Sequence, residues 1–375
     1  MSARTPTSTP TSSPPRSARD LARWRLRGQQ LVTPHADSSG GVVRHLLAVQ
    51  AENAGQAAWA VACRSRRPDA ANLAGLLDRG TVIRTHVLRP TWHFVATDDV
   101  AWLIEVTAPR VRPVVFRQLG EVHGLGADDV DRATQLVLDV LGGEPDRTRE
   151  ELAQHLAEAG MELAGQPLMH LLGVLELDRL VCSGSPREGV HTYARFEDRV
   201  PAAPPVDRDE ALARLALRYF TSHGPATERD LAYWATLTLG DVRRGLAQVQ
   251  HRLDSFELDD RTYWHAQGAQ PPAGEQQPAG HLLQILDELY RGYQESRMVL
   301  DADGLVPTGR ESAIGMALVD GQMVGSMKRT VGRRVRFDVV PYRGSLSAVE
   351  QDALQAAAAR YGAFLGLEHE LVVRS

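Results

Sequence analysis

The sequence predicts an α+β protein, mainly α, made of tandem winged helix-turn-helix units with a small β-rich C-terminal region. Three observations lead there. Helix, turn, helix and two-stranded hairpin follow one another at residues 148–195, the same order recurs at 208–265, and strand-like runs crowd the last quarter of the chain. With 375 residues, 43% hydrophobic and 24% charged, the chain has the length of two or three domains and the composition of a globular protein. It divides into a disordered tail (1–17), a divergent winged-helix unit (18–145), a second unit (146–205), a third (206–267), a linker (268–280) and a C-terminal α+β region (281–375).

The tail, MSARTPTSTPTSSPPRS, has Ser, Thr and Pro but no apolar stretch, so it lacks the core of a signal peptide. Ala18 to Gln30 reads as a helix, and Val42 to Arg64 as one long amphipathic helix. Asn72 to Asp78 is a short helix, and residues 81–95 a hairpin turning at Arg89-Pro90. Asp98 and Asp99 then cap a helix carrying Trp102 and Ile104.

The second unit opens on TREELAQHLAEAG, where Thr148 and Glu151 form a capping box. Leu168, Leu171, Leu172 and Leu175 follow at helical spacing, and LVCSGSPREGVHTYARF makes two short strands around a loop. In the third unit Arg208 to Ser222 is an amphipathic helix, Thr227 opens a second, and Leu239 to Val249 is the candidate recognition helix. A hairpin turning at Asp259-Asp260 closes it. GAQPPAGEQQPAG is a linker by composition. Beyond it the sequence predicts a helix from His281 to Arg297, a hairpin turning at Asp320-Gly321, a third strand in VRFDVVPY, an alanine-rich helix from Ser347 to Phe364, and a closing strand.

Several function classes drop out. Two cysteines, Cys63 and Cys182, make neither a disulfide framework nor a four-ligand zinc site, which fits a reducing cytoplasm. No run reaches the roughly 18 apolar residues of a transmembrane helix. There is no phosphate-binding P-loop, no GxSxG elbow and no HExxH helix, and the 13 histidines show no metal spacing. Gly124-Leu125-Gly126 reads as a turn, and Asp301, Asp303 and Gly304 as a loop rather than a calcium site.

The net charge of −5 argues against a nucleic-acid partner when taken as a total. Local patterns argue the other way. Lys328 is the only lysine, so every other cation is an arginine, whose fork suits phosphate even where codon usage explains its abundance. Arg64, Arg66 and Arg67 end the long first helix, and Arg243 and Arg244 lie on the candidate recognition helix. Lys328, Arg329, Arg333, Arg334 and Arg336 cluster within nine residues without an acid between them. A helix dipole or a solvated face also accounts for such runs. On winged helices they read as phosphate contacts, giving a modest, salt-sensitive affinity for double-stranded DNA.

Two segments carry a resemblance. GVVRHLLAVQAENAGQAAWAVACRSRR and VIRTHVLRPTWHFVATDDVAWLIEVTAPRV resemble the AlkZ-like winged-helix DNA glycosylases and their DNA-binding paralogues, and AIGMALVDGQMVGSMKR is similar to that family's closing hairpin. Gln50-Ala51-Glu52 stands where the family has Gln-X-Gln or Gln-X-Asp, and Arg89-Pro90-Thr91-Trp92-His93 matches its hairpin segment.

The resemblance implies three tandem winged helices forming a concave scaffold. It implies hydrolysis of the N-glycosidic bond of alkylated or crosslinked purines by a monofunctional enzyme without metal or redox cofactor. Gln50 and Glu52 are then the expected water-positioning pair, with His93 in support and Arg89 among the DNA contacts. On a continuous helix Gln50 and Glu52 would point about 200° apart, so both reach one substrate only where the helix starts, bends or faces a cleft. Glu52 departs from the family's Gln or Asp; it is either a stronger base or the mark of a non-catalytic DNA-binding or regulatory paralogue. A winged-helix interaction module is a third reading. The expected setting is a cytoplasmic, nucleoid-associated monomer away from membranes.

Overall fold

The computed structural model describes residue 15 and residues 17–272, 278–307 and 315–374. Most of the tail and the middle of the linker lie outside the described residues.

The first part runs α1 (Ala18–Gly28), α2 (Ser39–Leu46), β1 (Ala48–Gln50), α3 (Ala54–Ala62), α4 (Ala70–Asp78), β2 (Val82–His86), β3 (Trp92–Ala96), α5 (Thr97–Glu121) and α6 (Ala127–Gly143). The single helix expected over 42–64 is two helices with a strand between them. Leu47, Ala48, Val49 and Ala51 are all buried, and a helix would turn one of them outward. As a strand the segment instead pairs antiparallel with β3, in the register Ala48↔Val95, Val49↔Phe94, Gln50↔His93. Leu47 makes the break at φ 70°, and Asn53 starts α3 by accepting the Gln56 N–H at 3.0 Å. Asn53 with Gln56 three residues on is a helix-start signature present in the sequence. Asp98 and Asp99 lie in the first turn of α5 rather than at its cap; Asp99 accepts from Trp102 and Arg214.

The second part is β4 (Arg147–Thr148), α7 (Arg149–Glu158), α8 (Gly165–Leu177), β5 (Val181–Ser183), β6 (Thr192–Arg195) and α9 (Phe196–Arg199), with strand order β4-β6-β5. The Thr148–Glu151 capping box forms. The third part is α10 (Arg208–His223), α11 (Glu228–Ala235), α12 (Leu239–Val249), β7 (Leu253–Leu258) and β8 (Arg261–Ala266). Gly245 lets α12 cross α10, because a Cβ there would stand 2.4 Å from the Leu212 carbonyl oxygen.

The last part is β9 (Gly280–Leu283), α13 (Glu288–Arg291), α14 (Ser296–Leu300), β10 (Gly315–Val319), β11 (Gln322–Val331), β12 (Arg334–Pro341), α15 (Ala348–Leu365) and β13 (Glu368–Val373). Strand order is β13-β12-β11-β10-β9, with only β12–β13 parallel. The helix expected over 281–297 is a strand followed by two short helices. Leu282 and Leu283 reach the core through pairing with Ala317 and Met316, and Asp287 caps α13.

Packing joins segments distant in sequence. Leu21 and Leu26 of α1 share a core with Leu282, Phe337 and Tyr361. Leu47, Ile83 and Val95 share another with Leu215, Phe220 and Trp234. The second half of α5 and α6 pack with α7 and α8. Among the described residues no helix is long and apolar enough to cross a membrane.

Candidate active site

The two short segments singled out in the sequence meet. Because the chain is extended through Gln50, residues 50 and 52 run alongside the connection between β2 and β3. Ala51 N–H donates to the Trp92 carbonyl at 2.6 Å. On either side of that bond stands a side-chain contact. Arg89 donates to Gln50 Oε1 at 3.1 Å, and the Thr91 hydroxyl donates to Glu52 Oε2. Arg84 adds bonds to the Ala51 and Glu52 carbonyls at 3.0 and 3.2 Å. The 200° separation of a helix does not apply, because Gln50 and Glu52 are not on one.

Behind Gln50 lies a buried polar cluster that sequence reasoning missed. Glu288, the first residue of α13, is wholly buried. Its carboxylate accepts the Gln50 N–H at 2.7 Å and the Trp234 indole N–H at 2.9 Å, with Arg89 at 3.9 Å and His223 at 3.6 Å. Burial pushes this carboxyl up, but His223 and Arg89 outweigh it and hold it down at about 2. In the sequence, Asp287-Glu288 looks like an ordinary acidic pair on a helix.

His93 is fully buried in this cluster. Nδ1 faces the Thr91 carbonyl at 3.0 Å and Nε2 faces Arg89 at 3.4 Å. Desolvation, then the Arg89 charge, push its pKa down to about 3. It supports Arg89 as a neutral ring, and its burial denies it proton exchange with a substrate. His281, also buried, is pushed down to about 4, mainly by desolvation.

Both rings are uncharged in the fold but charge in the unfolded chain below about pH 6.5. The unfolded state then binds more protons, so stability falls as pH drops from 6.5 towards 4, by up to about 1.4 kcal/mol per pH unit for each histidine. Glu288 adds its own loss only below its unfolded value of 4.5. Denaturant titrations across this range check the slope, and His93→Gln should flatten it.

Glu52 is exposed and stands at the mouth of a cavity of ≈ 230 Å³ between the hairpin, α5 and α8. Trp92 and His86 line its inner end. They are held from behind by Glu176, a buried carboxylate of α8. It lies 2.5 Å from His86 Nδ1, and it accepts the His86 backbone N–H at 2.7 Å and the Trp92 indole N–H at 3.3 Å.

A family model of AlkZ-like DNA glycosylases matches residues 43–364 of the chain. The chain belongs to the AlkZ-like DNA glycosylase family. The Streptomyces sahachiroi DNA glycosylase AlkZ is similar in fold, with a TM-score of 0.75 and 21% sequence identity over 96% of this chain and 99% of that one. No curated protein matches it significantly.

The basic residues expected to hold DNA differ in burial and in their partners. Arg64 corrects the expectation of a phosphate contact. It is fully buried, paired to Asp287 at 2.7 and 2.9 Å, and bonded to Gln29 Oε1 and the Ala60 carbonyl. Arg89 is likewise committed inside the site. Arg329 is half-buried over the Tyr361 ring at 4.9 Å.

Exposed at the surface are Arg66 (2.8 Å from Asp37), Arg67, Lys328, Arg333 and Arg334 (3.9 Å from Glu370). Arg243 and Arg244 are exposed on α12 and pair with Glu228 and Asp209. Arg336 pairs with Asp338 at 3.0 Å.

Proposed function

We propose that this family member is a monofunctional DNA glycosylase, built on three winged-helix units, that hydrolyses the N-glycosidic bond of alkylated or crosslinked purines in double-stranded DNA. What carries the reading is Glu52: an exposed carboxylate, oriented by Thr91, two residues from a glutamine locked by Arg89 and Glu288. The helix–helix–hairpin order at 148–195 and 208–265 supports the winged-helix reading.

Alkylation at N7 or N3 already places positive charge on the purine, so the leaving group is good and little acid catalysis is required. Water attacks C1′ as the C1′–N9 bond breaks, and the bonding electrons pass to the base. Glu52 accepts the proton of the water and stabilises the cationic sugar. Gln50, with Oε1 occupied by Arg89, offers its amide N–H groups to the water or the sugar oxygen.

Base release from duplexes carrying N3-alkyl, N7-alkyl or crosslinked purines tests this reading. Release by the wild type that Gln50→Ala and Glu52→Ala both lose, with duplex affinity retained, is the expected result. No release from any of these substrates by the wild type overturns it.

Exposed Arg243 and Arg244 are proposed DNA contacts of α12. Their ion pairs are solvent-screened surface pairs, readily exchanged for phosphate. Replacing both by glutamine should weaken plain-duplex binding and lower the slope of log K against log salt by about 2. Fluorescence anisotropy over a salt series reads it, and an unchanged slope rules the pair out.

A further inference from the structure

We propose that the cavity beside Glu52 receives the purine of a small alkylated nucleotide turned out of the duplex. This deepens the glycosylase reading and rests on it for the role of Glu52.

Pro90, Val114, Val115 and Met169 give the cavity apolar walls around the Trp92 ring, a lining suited to a flat heteroaromatic ring. Its lining carries the Glu52 carboxylate and no arginine or lysine. Phosphate is therefore disfavoured there, and the positive ring of an N-alkylated purine favoured. The contrast with the other side of Trp92 is direct: a second cavity of ≈ 240 Å³ carries Arg84 and Arg149 with Glu150, so the two sides accept opposite charge.

One polar atom points the same way. His86 Nδ1 is tied to Glu176, and Nε2 has no hydrogen bond among the described residues, which leaves it for the edge of a ligand. With Glu52 at the mouth, a base seated inside leaves its C1′ on the carboxylate side, where the water is activated.

The test fills the cavity. Met169→Trp and Val114→Trp place an indole in it from α8 and from α5, and each is checked by thermal unfolding and plain-duplex affinity. Release of 3-methyladenine and 7-methylguanine from duplex DNA should fall at least about tenfold in both variants. Titration calorimetry with free 3-methyladenine should show binding by the wild type and a matching loss in the variants. Folded variants that release both bases at the wild-type rate overturn the proposal. If the wild type binds free 3-methyladenine and the variants do not, yet nothing releases base from DNA, the glycosylase reading fails and the cavity assignment stands. Neither release nor binding by the wild type overturns both.

Discussion

Glu52→Gln is expected to slow release of N7-alkylated purines by about 10²–10⁴-fold, the range of a general base, with no change in Kd for plain duplex. The substitution is nearly isosteric, and the new amide oxygen still accepts from the Thr91 hydroxyl, so the geometry of the segment survives. What goes is the ability to take a proton and to carry negative charge opposite the oxocarbenium sugar. Single-turnover release with enzyme in excess reads the chemical step alone. A Glu52→Gln variant that keeps the wild-type rate would show that orienting water is sufficient and that the carboxylate does not act as a base. Gln50→Ala removes one acceptor of Arg89 and leaves the Arg291 carbonyl at 2.8 Å, so its loss of rate combines water positioning with a loosened site.

Arg64→Met produces the largest expected stability change, about 3–5 kcal/mol of destabilisation, because removing one partner leaves the Asp287 carboxylate buried and unpaired. Gln29 loses its donor at the same time. The salt slope of DNA binding by the folded variant should not change. Arg66→Gln, on an exposed residue of the same cluster, should shift stability by no more than about 0.5 kcal/mol. Urea titrations of the two variants and the wild type decide the matter. An Arg64→Met variant of near-native midpoint that binds DNA more weakly would restore the phosphate reading.

The pair Arg64 and Arg66 shows where sequence reading stops. In ACRSRR the arginines are equivalent by composition, and what separates them is Asp287, 223 residues away. Local signals did better. Capping at Thr148, Thr227 and Ser347 and the turns at Asp259-Asp260 and Asp320-Gly321 appear where neighbours in the sequence dictate them. The segment 47–51 went wrong because a short apolar run suits helix or strand alike, and pairing with β3 decided it. Within the candidate site, Gln50, Glu52, Arg89 and Thr91 were legible as motif positions. Glu288, Trp234 and Glu176 were not, because a buried carboxylate has no signature until its donors are known.

Glu288 also bears on how such a chain can change over time. Its donors come from β1 and α11, with Arg89 of the β2–β3 connection close by, while Glu288 itself follows the proline-rich stretch. The helix-and-hairpin parts look like interchangeable modules, yet the footing under Gln50 is assembled from three of them. A chain cut at 268–280 would leave Arg89 with no carboxylate nearby and the Gln50 N–H without an acceptor, whatever the state of Glu52. Descendants that trade or shed the C-terminal region would therefore lose the footing of the motif even with Gln50 and Glu52 unchanged.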